Sequence, residues 1–151
     1  MRYALAFLLV LVSGQAFAQK MDISKINNPW RSDAELDTAE KLLADKKYAD
    51  ILTVTDRVII RNMRNADAHV LAATAWYNLG NFDKAKQEMT TALAIDKAHL
   101  GAYVVGGLTA LRQDDKDQAQ YYLSALSVVC QGQTCPEFKL LQQAIREYVG
   151  K

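Results

Sequence analysis

The chain repeats itself at an offset of 34 residues, and few folds accommodate such a register. Tyr48 falls on Phe82, an aromatic just after the turn in the first two copies. Ile51 falls on Ala85, and Ala85 on Ala119. Ala39 falls on Ala73, and Ala73 on Gly107. Leu42 falls on Trp76, and His69 on Tyr103. Thr55 falls on Met89, and Met89 on Leu123; Val58 falls on Ala92, and Ala92 on Leu126. The register holds through three copies without an insertion, which helical propensity alone does not produce.

Each copy reads as two helices around a tight turn. In the middle copy, Phe82, Ala85, Met89, Ala92 and Leu93 recur at spacings of three and four, with Asp83, Lys84, Lys86, Gln87 and Glu88 off the stripe. That is the pattern of a helix with one apolar face. Gly80 supplies a positive φ in the turn before it, and Asn81 tolerates irregular backbone. Leu36, Ala39, Leu42 and Leu43 form an earlier stripe behind a capping box of Ser32 and Glu35. Tyr48, Ile51, Leu52, Thr55, Val58 and Ile59 form the next, and Asn65 is placed to cap the helix after it. Asp114 to Asp117 make the third turn, followed by Ala119, Tyr122, Leu123, Leu126 and Val129. A last stripe, Phe138, Leu141, Ala144, Ile145 and Tyr148, follows Pro136, which suits a first helical position, and Glu137. Proline occurs only at Pro29 and Pro136, so no helix breaker interrupts the repeats.

The turn and second helix of residues 66–99 resemble the tetratricopeptide repeat (TPR). Trp76 stands at that family's first-helix aromatic, Met89 at its second-helix aromatic, and Ala73, Ala85 and Ala92 at its small sites. Met63 and Lys97 stand where proline often ends a copy, Lys46 where glycine is common, and Ile51 where alanine is usual. The resemblance implies an all-α fold: a TPR-like α-solenoid of three antiparallel helix pairs, residues 32–65, 66–99 and 100–133, plus a capping helix over 134–151. Small residues let paired helices approach, large ones fill the groove to the next pair, and a terminal helix covers the last repeat.

Residues 1–18 read as a cleaved signal peptide, with Arg2, the apolar run Tyr3 to Val12, and Ala16-Phe17-Ala18 as the cleavage site. The run is about half of the roughly 20 residues that a spanning helix needs. Residues 19–31 read as a leader, with Trp30 either packing on the first helix pair or anchoring a partner. The full chain has 18 Lys and Arg against 17 Asp and Glu. Arg2 is the only charge lost with the signal, so the mature chain is balanced, which argues against broad capture of nucleic acid or anionic lipid. A periplasmic location is expected.

Cys130 and Cys135, with four residues between them across a turn in an exported chain, read as a structural disulfide joining the capping helix to the third pair. A thiol redox pair using Cys130 and Cys135 is the weaker alternative, since the spacing is not C-x-x-C. A metal site would have only two thiolates, with His69 and His99 remote in sequence. No nucleophile elbow, phosphate-binding glycine loop, zinc-protease helix or calcium loop is present. Gly106-Gly107 lies mid-helix, where close packing explains it, and His69 and His99 read as packing or capping residues. The chain is therefore expected to be no enzyme and to need no cofactor or metal.

The working surface implied by the resemblance is the concave face. Its residues are Leu36, Glu40 and Leu43; Val70, Thr74, Tyr77 and Asn78; and Val104, Leu108, Leu111 and Arg112. The strongest candidates are the eight from the second and third copies. Asn78 and Arg112, equivalent by register, are suited to a peptide backbone or a carboxylate. The Lys and Asn set of chaperone-binding members is not reproduced. Tyr121, Tyr122 and Tyr148 make a second, convex candidate patch. The expected function is an exported adaptor or scaffold that binds a protein or peptide partner, with a self-associating structural protein of the envelope as the alternative.

Overall fold

The computed structural model describes residues 34–132 and 134–149. The expected signal peptide, the leader with Trp30, and the Ser32 half of the capping box lie outside the described residues. Within them the chain is all-helical: α1 Ala34–Ala44, α2 Tyr48–Arg61, α3 Ala66–Asn78, α4 Phe82–Ile95, α5 Leu100–Arg112, α6 Lys116–Val129 and α7 Pro136–Val149. Both ends of α2, α4 and α6 recur at intervals of 34, and so do both ends of α3 and α5.

The turns recur as well. Lys46, Gly80 and Asp114 all take positive φ, at 60°, 79° and 60°. In each case the next residue's N–H reaches back to the helix before: Lys47 to Leu42 O, Asn81 to Trp76 O and Asp115 to Ala110 O, all at 2.9 Å. This left-handed stop satisfies carbonyls that a helix end leaves orphaned. Only the middle copy has glycine there, so the backbone path survives the substitutions that the sequence shows at Lys46 and Asp114. Asn81 and Asp115 then cap α4 and α6 through the Lys84 and Gln118 amides.

The junctions between copies explain how helices stop without proline. Asn62 and Asp96 are extended, at φ −145° and −130°, and their side chains accept from Arg64 N at 3.1 Å and Ala98 N at 2.9 Å. Such side-chain turns compete with helix continuation. Asn65 and His99 then cap α3 and α5 by accepting from the Ala68 and Ala102 amides. The exposed carbonyls of Met63 and Lys97 are tied from register-equivalent side chains, His69 Nε2 at 3.1 Å and Tyr103 Oη at 2.9 Å.

Each helix packs on its neighbour in sequence, and α3 also touches α1 and α5, while α7 packs on both α5 and α6. The odd helices are consequently buried far around their circumference: Ala68 to Ala75 in α3 and nearly all of Gly101 to Leu111 in α5. The even helices bury one stripe each, such as Ala85, Met89 and Ala92 in α4. Ile51, an exception to the small-residue rule, is fully buried. Two core clusters form, and α3 serves both. Val70 and Ala73 join the larger with α4 to α7; Ala68, Leu71 and Ala75 join the smaller with α1 and α2.

Gly106 and Gly107 permit the closest approaches. A Cβ on Gly107 would stand 2.5 Å from Leu141 Cδ1, and one on Gly106 would stand 3.1 Å from both Met89 Cε and Tyr122 Cζ. Helix α7 thus presses Leu141, with Phe138 and Ala144, into a notch on α5. Its start is tied to the end of α6 by the Cys130–Cys135 disulfide, with Cα atoms 5.9 Å apart, and Cys135 Sγ accepts the Phe138 N–H. At its other end Tyr148 donates to Asp114, and Lys116 stands 5.4 Å above the Tyr148 ring.

Candidate binding surface

The eight candidate residues divide by exposure. Val70, Thr74, Val104, Leu108 and Leu111 are 1%, 3%, 3%, 5% and 6% exposed. Four of them belong to the larger core cluster, and Thr74 turns its hydroxyl onto its own helix at Val70 O, 2.8 Å away. These side chains shape the face but are closed to a partner in this conformation. Tyr77 and Asn78 are half-buried, and Arg112 is exposed. Burial likewise divides the convex candidates. Tyr121 is 63% exposed, but Tyr122 is 7% exposed and packs edge-on against Tyr103 and Tyr121, because Gly106 leaves it room over α5. Tyr122 is therefore a core residue and not a surface one.

The reachable residues converge where α3 turns into α4 beside the end of α5. Asn78 and Arg112 are the last residues of their helices, as their register predicts. The Tyr77 and Phe82 rings are 5.9 Å apart, and the Arg112 guanidinium lies 5.8 Å and 5.3 Å from their centres. A cation over aromatic faces is held without being neutralised. No carboxylate among the described residues is paired with Arg112. Burial pushes the Tyr77 hydroxyl above its ordinary range, and the nearby Arg112 charge opposes that shift. Asn78 donates to Thr74 O at 2.8 Å, which fixes its amide against its own helix.

An open depression adjoins this cluster, lined by Leu79, Gly80, Asn81, Phe82, Asp83 and Gln113. Gln113 donates to Asp83 at 3.0 Å and links α5 to the start of α4. Phe82, Asp83 and Gln113 are absent from the candidates drawn from the sequence. The signal for Phe82 was present, since it opens the second helix one turn residue beyond Gly80; Gln113 reaches α4 only through its tertiary hydrogen bond to Asp83. Chemically the surface offers one unpaired cation, aromatic faces, amide groups and a carboxylate held by an amide. That inventory suits recognition of a polar chain segment and contains no nucleophile–base pair.

The two histidines have different work. His99 uses Nδ1 to cap α5, so its ring proton sits on Nε2, 3.0 Å from Asp67 Oδ1. His69 has acceptors at both nitrogens, Glu88 Oε2 at 2.7 Å and Met63 O at 3.1 Å. Both nitrogens must donate, so the imidazolium fits the site. The Glu88 hydrogen bond is the main cause of its raised pKa; burial works against it. Neither ring bonds to a residue of the candidate surface.

No protein-family model matches the chain, and no curated protein matches it in sequence. Among the described residues no group of three or more His, Cys, Asp or Glu could hold a metal ion, and no helix is long and apolar enough to cross a membrane.

Proposed function

We propose that the chain is a TPR-like helical-repeat adaptor: a solenoid of three helix pairs with a capping helix, exported by a cleaved signal peptide to the periplasm. It binds a protein or peptide partner and catalyses no reaction. The observation that carries this reading is the return of helix ends and left-handed turns every 34 residues. An architecture built from copies of one hairpin presents extended surface and no enclosed site. Within the concave-face set, Tyr77, Asn78 and Arg112 make the contact, joined by Phe82 and Gln113, while Val70, Thr74, Val104, Leu108 and Leu111 hold the face in shape.

Site-specific photocrosslinking in envelope extracts tests the reading. A crosslinker at Asn78 or Arg112 should capture one reproducible partner, and the same group at Gln120 on α6 should not. Arg112→Ala should weaken capture at least about tenfold, equivalent to the loss of one charge-assisted contact. Equal labelling at all three positions, or recovery of the chain alone, would reject it. Recovery of a second copy would favour the self-associating alternative.

A further inference from the structure

Thr109 is the one buried side chain among the described residues whose polar atom has no hydrogen-bond partner. It is 1% exposed, in the middle of α5. The other helical threonines behave differently. Thr38, Thr53, Thr55, Thr74, Thr90 and Thr91 all donate to the carbonyl four residues back. Thr109 has forgone that bond, and a buried hydroxyl without a partner is destabilising.

Thr109 also lines a small, partly open cleft. It lies where α4, α5 and α6 meet, and Lys86, Thr109, Gln113, Asp115, Gln118 and Tyr122 contribute to its wall. The space open to the centre of a water-sized sphere is about 10 Å³, which is the room one water molecule needs. Gly106 also lines it and admits the Tyr122 ring. A polar wall, room for one molecule and a donor without an acceptor occur together. Lys86 at the wall disfavours a metal cation. Thirty-four positions earlier the residue is Ala75, fully buried, so the feature belongs to the α5–α6 pair alone.

We propose that one ordered water molecule binds in this cleft, accepting from Thr109 Oγ1 and bridging it to Gln118 and Tyr122 on α6. The water joins the two helices of the pair where Gly106 leaves no side chain to do so.

Water-to-protein cross-relaxation NMR on the full chain, with Thr109→Val and Thr109→Ser, tests the site. The unmodified chain should show a long-lived water cross-peak at Thr109. T109S should retain the peak at residue 109. T109V should erase it and lower Tm by about 3 °C, the shift expected for one net hydrogen bond. Absence of the cross-peak in the unmodified chain would overturn the proposal. So would a T109V chain whose Tm is unchanged or raised: the hydroxyl would then be bare, and removing it would do no harm.

Discussion

Lys46 and Asp114 occupy backbone positions that favour glycine, and Gly80 shows what the position asks for. A non-glycine residue in the left-handed region costs about 1–2 kcal/mol, partly offset by glycine's greater loss of chain entropy on folding. Lys46→Gly should therefore raise stability by about 0.5 kcal/mol, and Gly80→Ala should lower it by about 1 kcal/mol, both readable by urea denaturation. Opposite signs would mean that the turn relaxes to another conformation. His69 carries a pH dependence. Its folded pKa lies above the free value of 6.5, so its contribution is complete below that value and is lost as pH rises through the folded one. The Tm of the unmodified chain should exceed that of His69→Gln most below pH 6.5, and the gap should narrow as pH rises beyond it. A gap that widens with pH would show the ring to be neutral in the folded chain. The need for positive φ was legible at Gly80 alone, because lysine and aspartate carry no such signature. The pairing of His69 with Glu88 was not legible at all, since the two residues lie on different helices.

At the scale of the helix, the apolar stripes of α2, α4 and α6 read correctly from spacing, because each of these helices buries one face. No such stripe marks α3 or α5, because neighbours on several sides bury most of their residues and leave no polar face to show the orientation. The family resemblance, and not the periodicity, supplied their candidate residues, and it could not tell that Val70 and Leu108 would be closed off while Arg112 stayed open. Helix α7 depends on two local features. Gly107→Ala would drive a methyl into the fully buried Leu141, and overpacking of this kind costs about 1–3 kcal/mol. Cys130→Ser removes the loop closure between α6 and α7, worth roughly 2 kcal/mol for so short a loop. Both variants should lower Tm, and G107A should in addition increase hydrogen exchange in α7 before it does so in α1 or α2. An unchanged Tm in G107A would mean that α7 sits farther from α5 than the Gly107–Leu141 approach requires.

For the whole molecule, the larger cluster spans α3 to α7, and the smaller joins α1 and α2 to one side of α3. Arrays held by neighbour contacts lose their ends first. Native-state hydrogen exchange should therefore find the highest protection in α3 and α5 and early opening of α1 and α2; uniform protection would mean that the clusters unfold as one. Among the described residues the seven helices, the turn positions, the Asn65 cap and the cysteine pairing were readable in the chain, because each depends on residues a few positions apart. Which residues meet at Arg112, which tyrosine is buried, and where the Thr109 hydroxyl lies were not. Those follow from how closely one helix approaches another, and two adjacent glycines set that distance through atoms they lack.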